Sequence, residues 1–526
     1  MQGQSRADHS TSPPIIEIPR EYNAAFDLLS RNLSGDRADK CAYIDDEGRY
    51  SFSDLNERSA RTAAMLRGFG LDMEQRVVVC MHDSFALPSV FLGAIRAGIV
   101  PVLVNTLLTA DDYAWMLRDS RAQVAIVSVP LLPLFEPLLE SVPGFERVIA
   151  SGAGTAGPDE LTALIDAAPA DPAIAPTVAD DACFWLYSSG STGTPKGTVH
   201  VHSSMIQTAE LYARPVLGIN ENDTVFSAAK LFFAYGLGNA LSFPLSVGAT
   251  TLLMAERPTS AAVFERLRSH RITVFCAVPT LYAALLADSE LPAADELNLR
   301  HCISAGEPLP VDIARRWHQH FGVNILDGIG STEMLHIFLS NRAGTLRYGT
   351  TGKPLPGYEL RIVDDEGAAV AQGEIGELQV SGPTAASMYW NNRDKTRGTF
   401  LGEWTRTGDK YRRDEDGFYV FCGRSDDMLK VGGIYVSPTE VEGALITHAA
   451  ILEAAVVGRA DDAALIKPAA YVVLQPGVTG SEELAATLKA HVKSQLAPYK
   501  YPRWIEFVSD LPKTATGKIQ RFKLRD

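Results

Sequence analysis

Short apolar runs alternate with amphipathic stretches from Val77 to Val278, and this alternation restricts the fold more than any other feature of the chain. VVVC (Val77–Cys80), Val102–Val104, AIVSV (Ala125–Val129), TTLLM (Thr250–Met254) and TVFCAV (Thr273–Val278) each read as a strand. A helical pattern at Ala261–His270 separates the last two. Strand–helix–strand units of this kind imply crossover connections and a parallel sheet. Upstream, Glu21–Gly70 reads as a helix, short strands near Ala42–Ile44, and a second helix with Ser53 as N-cap and Gly70 just past its end. From about Thr345 the texture changes to ELRIVD, GELQVSG and GFYVFCG, divided by Gly and Asp turns, which predicts a small barrel or antiparallel sheet. An α+β pattern follows from about Val431, with helices near Thr439–Thr447 and Ser481–Leu496.

The predicted class is therefore α/β. It has a large multi-subdomain N-terminal region, βαβ layers plus a small β-barrel, and a small mobile α+β C-terminal domain. The predicted boundaries are a disordered tail at 1–20, a large domain at 21–425 and a small one at 426–526. A chain of 526 residues has room for this.

A net charge of −15, from 48 basic and 63 acidic residues, argues against a nucleic-acid partner, which requires a basic surface. Cys41, Cys80, Cys183, Cys276, Cys302 and Cys422 show neither zinc-knuckle nor CxxC spacing and read as small buried hydrophobes in a reducing compartment. The segment MQGQSRADHSTSPP lacks the apolar core of a signal peptide. Arg96 and Pro101 interrupt the one stretch long enough to suggest a membrane span. These features predict a cytoplasmic protein without a membrane partner, a monomer or homodimer.

The segment CFWLYSSGSTGTPKGTVH, Cys183 to His200, carries the most chemistry. An apolar strand runs straight into a loop rich in glycine and hydroxyl residues. Its glycines (Gly190, Gly193, Gly197) let backbone N–H groups approach a ligand. The hydroxyls of Ser189, Ser191, Thr192 and Thr194 can donate to phosphoryl oxygens, and Lys196 adds a cation. The loop departs from GxxxxGK[ST], because Pro195 precedes the lysine and Gly197 follows it.

This loop resembles the signature of adenylate-forming enzymes, the family of acyl- and aryl-CoA ligases, adenylation domains and firefly-type luciferases. Further stretches resemble that family in order and spacing: SAGEPL (Ser304–Leu309), DGIGSTEM (Asp327–Met334), TRTGD (Thr405–Asp409), GRSDDMLKVGGIYVSP (Gly423–Pro438) and LPKTATGKIQR (Leu511–Arg521). The resemblance implies ATP and coenzyme A as co-substrates, with Mg²⁺. It assigns the loop Ser189, Ser191, Thr192, Gly193, Thr194 and Lys196 to the ATP phosphates. Ser304, Gly306 and Glu307 would bind the nucleotide, and Asp327, Gly328, Ile329 and Ser331 would run along the adenine. Thr332 would reach the α-phosphate, and Glu333 would hold the metal.

Asp409 would accept the ribose hydroxyls beside Arg424, although the two residues equally suit a structural ion pair. Lys518 would be the catalytic lysine. Read alone, its basic surroundings (Lys513, Arg521, Lys523, Arg525) suit a solvated face. A cation between an attacking carboxylate and a phosphate lowers the barrier electrostatically. Asp426 would be the hinge for a C-terminal domain that turns between half-reactions, bringing Lys430, Gly432, Gly433 and Tyr435 to coenzyme A.

The segment Leu231–Gly236 holds no acid, so an α-ammonium substrate would go uncompensated there. KLFFAYGLGNALSFPLSVGATTLLMAERPT and GIGSTEMLHIFLSN resemble the benzoate–CoA ligase branch of the family. That resemblance implies a small aromatic acid bordered by Tyr235 and His336, limited by Ala234, gated by Phe233 and lined by Gly328, Gly330 and Ile337. Many relatives carry His where this chain has Phe233. The alternatives are a ligase for a hydroxy- or aminobenzoate or a medium-chain acid, or a non-catalytic nucleotide sensor. On this reading Lys518→Ala abolishes adenylate formation yet still converts supplied benzoyl-adenylate and coenzyme A to thioester. Gly433→Leu does the reverse. Single-turnover assays of each half-reaction decide, and loss of only the first step in both variants would refute alternating domain faces.

Overall fold

A computed structural model describes residues 3–152, 159–188, 195–425, 427–431, 434–461, 465–513 and 519–525. Two compact units emerge. The first comprises Met1–Tyr348, Gly352–Glu359 and Val380–Thr405; the second takes Gly349–Thr351, Leu360–Gln379 and Arg406–Asp526. The second unit therefore includes 360–379 and 406–425 beside the 426–526 expected from sequence.

Two sheets organise the first unit. The seven-stranded one runs Met388–Tyr389, Lys196–Val201, Ala182–Ser188, Val100–Leu103, Arg76–Cys80, Val124–Ser128, Arg147–Ser151. Its last five strands are parallel. Val77–Val79 and Val124–Val127 are buried, as strands covered on both faces must be. The nine-stranded sheet runs Lys353–Pro354, Ile337–Ser340, Ile325–Gly330, His301–Ser304, Val274–Ala277, Thr224–Ser227, Thr250–Leu252, Cys41–Ile44, Arg49–Ser51. It is parallel from Ile325–Gly330 to Cys41–Ile44.

The predicted strands and the helix at Ser260–Ser269 lie where the alternation put them. The early helix does not start as expected. It spans Phe52–Gly68 and is capped by Ser51, not Ser53: the Ser51 hydroxyl accepts from Asp54 N–H, and the Asp54 carboxylate accepts from Ser51 N–H. This reciprocal box satisfies two otherwise orphaned donors, which Ser53 inside the first turn cannot do. Gly70, φ +79°, closes the far end.

The N-terminal stretch also differs from the disordered tail expected. Arg6–Asp8 and Ile15–Glu17 pair as an antiparallel ribbon. Ser5 donates to the buried Asp27 carboxylate at 2.6 Å, and His9 lies 2.6 Å from Glu210. These anchors come from distant residues, so the polar composition of the tail conceals them. Among the described residues no helix is long and apolar enough to cross a membrane. Arg96 is instead buried at the end of Ala86–Arg96, donating to Asn56 and to the Pro172 carbonyl.

The second unit contains a sheet in which Trp404–Arg413 pairs antiparallel with Tyr419–Arg424. A second sheet joins Ile451–Ala460, Ile466–Leu474 and Trp504–Phe507, covered by helices Pro438–Ile446 and Glu482–Gln495 around Val436, Leu445, Val456, Val472 and Leu488.

Helices Phe52–Gly68 and Ala86–Arg96 cross at Gly93. A Cβ there would lie 2.6 Å from the Thr62 Cβ and 2.8 Å from the Ser59 carbonyl oxygen, and a backbone atom cannot step aside. Gly93→Val should cost about 1–3 kcal/mol by overpacking. Chemical denaturation checks this, and an unchanged midpoint would contradict the close crossing.

Candidate active site

The strand Ala182–Ser188 leaves the sheet into residues 189–194 and returns antiparallel as Lys196–Val201, with Lys196 opposite Ser188. Ser189, Ser191, Thr192, Gly193 and Thr194 lie outside the described residues. The anchors of the loop are described. The Tyr187 hydroxyl donates to Asp119 at 2.8 Å, and the Trp390 indole Nε1–H donates to the Asp119 carbonyl. These bonds fasten Ala182–Ser188 and the segment after Met388–Tyr389 to Asp119.

Lys196 Nζ sits 4.8 Å from the centre of the Tyr389 ring, and the Tyr389 hydroxyl donates to Glu333 Oε1 at 2.6 Å. One tyrosine therefore links the cation of the phosphate loop to the carboxylate of the second motif. His200, on the returning strand, donates from Nε2 to the Thr332 carbonyl at 2.7 Å. Burial pushes its imidazole down to about 4, so it is neutral near pH 7. Tyr389 and His200 were missed in the sequence. Each touches the 331–333 segment across a long stretch of chain and carries no local signature.

Ser331, Thr332 and Glu333 ride on the turn joining Ile325–Gly330 to Ile337–Ser340, which pair antiparallel. Within this turn Leu335 adopts φ +66°, a conformation costly for a residue with a branched side chain. The Ser331 hydroxyl accepts from Met334 N–H, and the Glu333 carbonyl accepts from Ala386 N–H at 2.7 Å. The neighbouring parallel strands bring Ala277, Ser304 and Asp327 into register at their carboxyl ends. Carboxyl ends of parallel strands are where open α/β sheets bind ligands. Ser304 Oγ and Asp327 Oδ1 are buried without a partner, and burial drives the Asp327 carboxyl well above its usual range. Gly306, φ +92°, turns the chain just beyond, ahead of Glu307. The structure thus brings Ser304, Asp327, Gly328 and Ile329 together on adjacent strands.

The apolar part of the site surrounds His336. Its ring centre lies 4.5 Å from Phe243, 5.6 Å from Tyr235 and 5.7 Å from Tyr212. His336 Nε2–H donates to the Tyr235 carbonyl at 3.2 Å, and burial lowers the imidazole to about 3. A Cβ on Gly238 would come within 2.3 Å of the imidazole, and one on Gly330 within 2.5 Å of the His336 carbonyl. These two glycines permit the close packing. The Tyr235 hydroxyl donates to the Ile303 carbonyl at 3.0 Å, and Ile337 packs over Gly328. Phe233 caps the short helix Ala234–Leu237 and meets Phe232 at 4.5 Å. Tyr235, His336, Gly330, Gly328 and Ile337 are thereby linked; the buried acid nearby is Asp327, next to Gly328, and burial favours its neutral form.

Within the second unit, Asp409 and Arg424 face each other across paired strands, with the guanidinium 2.9 Å from the carboxylate. The ion pair left open by the sequence is present. Gly408, φ +74°, gives room for it: a Cβ there would lie 2.8 Å from the guanidinium. Lys430 and Tyr435 stand opposite each other in the hairpin Leu429–Val431/Ile434–Val436. Gly432, Gly433, Asp426 and Lys518 lie outside the described residues. The basic residues near Lys518 are not a free solvated face: Lys513 pairs with Glu453, Arg521 with Glu442, and Arg525 with Asp427.

All six cysteines are unpaired; five are buried, and Cys41 is partly so. Burial pushes the Cys80 and Cys302 thiols up to about 12, far from reactive thiolates.

Comparison with known proteins agrees with this arrangement. Residues 30–390 match the family model described as AMP-binding enzyme, and residues 440–518 match the AMP-binding enzyme C-terminal domain. A benzoate–CoA ligase of Thauera aromatica is 63% identical over 99% of both chains. A 4-hydroxybenzoate–CoA/benzoate–CoA ligase of Rhodopseudomonas palustris is 50% identical over 96% of this chain and 94% of its own. The crystal structure of a benzoate CoA ligase from Burkholderia xenovorans LB400 superposes with a TM-score of 0.90 at 56% identity, covering 96% of this chain and all of that one. With strand ends, loop anchors and motif turn in place and both family models matched, the chain belongs to the AMP-binding, adenylate-forming enzyme family.

Proposed function

We propose that this enzyme is an ATP-dependent benzoate–CoA ligase. The observation that carries the reading is the aromatic box around the neutral His336, set beside the Ser331–Glu333 turn. Full-length similarity to ligases whose names specify benzoate supports it.

In the first step a benzoate oxygen bonds to the α-phosphorus of ATP while the bond to the departing pyrophosphate breaks. The loop from Ser189 to Lys196 holds the phosphates and Thr332 the α-phosphate. Asp409 holds the ribose, with Arg424 fixing its carboxylate, and Lys518 bridges the two anions. Among the described residues no group of three or more His, Cys, Asp or Glu side chains forms a metal cage. Glu333 is a single carboxylate of the kind that would hold Mg²⁺, which would supply positive charge against the triphosphate. Tyr389 orients that carboxylate.

In the second step the coenzyme A sulfur bonds to the acyl carbon, the acyl–oxygen bond breaks and AMP leaves. For this step the C-terminal domain turns at Asp426 to bring up Lys430–Tyr435, where Gly432 and Gly433 leave space for the thiol arm. His336 and Tyr235 border the ring of the acid, Ala234 limits its substituents and Phe233 gates the tunnel. Free buried thiols suit a reducing compartment, the cytoplasm.

The test is thioester formation with benzoate, 4-hydroxybenzoate, 2-aminobenzoate and hexanoate at matched ATP and coenzyme A. A closely fitted apolar slot predicts that benzoate leads in kcat/KM by about tenfold or more. A higher kcat/KM for hexanoate or a substituted acid would reassign the substrate.

A further inference from the structure

Asp83 belongs to no motif singled out above, yet it is a buried acid that grips the segment carrying Phe233, Ala234 and Tyr235. It lies in the loop after Arg76–Cys80 and is 2% exposed. Its two carboxylate oxygens stand 3.2 and 3.3 Å from Leu231 N, across 148 residues of sequence.

The loop around Asp83 is tied to both sheets. His82 N–H donates to Ser128 Oγ at 2.9 Å, at the end of Val124–Ser128. Phe85 N–H donates to Asp45 at 2.8 Å, just past Cys41–Ile44, and its ring stacks on Tyr50 at 3.9 Å. Asp83 therefore cannot follow Leu231 if that segment shifts.

On the other side, Lys230 is fastened as firmly. Its ammonium donates to the carbonyls of Met254 and Glu256, the latter at 2.7 Å. The Lys230 carbonyl accepts from Phe233 N–H at 3.0 Å, and Phe233 in turn accepts from Leu237 N–H at 2.8 Å. Gly236 closes over this turn; a Cβ there would lie 2.0 Å from the Lys230 oxygen. The turn that presents Phe233–Tyr235 thus hangs on two charged pins, Asp83 on one side and Lys230 on the other.

Burying two charges has a cost that a purely structural turn would avoid. Burial pushes the Asp83 carboxyl up to about 6, and the charge of Lys230 opposes that shift. Around Lys230 stand Asp46, Glu256 and Arg266, the last paired with both acids at 2.7 and 2.8 Å. A carboxylate ionised near neutral pH makes the stronger, charge-assisted hydrogen bond to an N–H.

We infer that Asp83 is a positioning residue for acid recognition: by holding Leu231 N–H it fixes the register of Phe233–Tyr235 against His336, and so sets the affinity for the acid and not for ATP. This rests on the proposed acid site.

Two variants test it, each assayed for the KM of the acid and of ATP. Asp83→Asn keeps the shape and one acceptor but loses the charge; Asp83→Ala loses all three. A hydrogen bond to a charged group is worth enough to raise the acid KM by roughly threefold or more in Asp83→Asn and roughly tenfold or more in Asp83→Ala. The KM for ATP should stay within about twofold of wild type in both, as the hydrogen bonds of Asp83 run to Leu231 and not to the 331–333 turn. An equal rise in both KM values, or an acid KM unchanged in Asp83→Asn, overturns the inference. Asp83→Asn decides alone if Asp83→Ala does not fold. Wild-type protein is first run on the acid panel: if it ignores benzoate, the benzoate assignment fails, and Asp83 is judged with whichever acid is turned over fastest.

Discussion

His336 donates from Nε2 to the Tyr235 carbonyl inside a box of three aromatic rings, and Gly238 leaves it only the room an imidazole needs. A drop from the ordinary 6.5 to about 3 disfavours the imidazolium by on the order of 5 kcal/mol. At neutral pH the ring is an uncharged, flat wall. Everything proposed for the acid depends on that wall. It continues along Ile337–Ser340, and the turn before it carries Ser331, Thr332 and Glu333.

Two of the elements around this ring are π-helical: Ala209–Ala213 brings Tyr212, and Gly238–Ser242 brings the packing glycine. Single π turns recur at functional sites, where the extra residue re-aims a side chain. Asp327, buried with Oδ1 unpartnered, is pushed toward its neutral form, whereas the other charged groups of this region are closely paired. Asp83 grips a backbone amide, Lys230 grips carbonyls, and Tyr389 donates to Glu333. A buried charge left without such partners would cost several kcal/mol, so each of these groups fixes geometry as a condition of being there.

The sequence was most legible where chemistry is local. The strand–helix alternation placed the parallel strands, because a strand buried on both faces must be apolar throughout. The loop ending at Lys196 and the 327–333 motif declared themselves by composition, since hydroxyls, glycines and a carboxylate had to lie close together. Partners joined across the chain stayed hidden. Tyr389 meets Glu333, His200 meets Thr332 and Asp83 meets Leu231 only after folding, and each reads alone as an ordinary aromatic, imidazole or surface acid. Ser51 and Ser53 look alike as caps in the sequence, and only the reciprocal bond with Asp54 distinguishes them. The N-terminal ribbon looked disordered because its anchors, Asp27 and Glu210, belong to other elements.

The central claim is that the glycine- and hydroxyl-rich loop and the aromatic box serve one reaction, the joining of an aromatic carboxylate to the α-phosphate of ATP. Its most direct test is the return of labelled pyrophosphate into ATP in the presence of Mg²⁺ and absence of coenzyme A. The account predicts exchange that depends on benzoate and is negligible without an acid. Exchange that stays at background with benzoate and with every other carboxylic acid offered would contradict it.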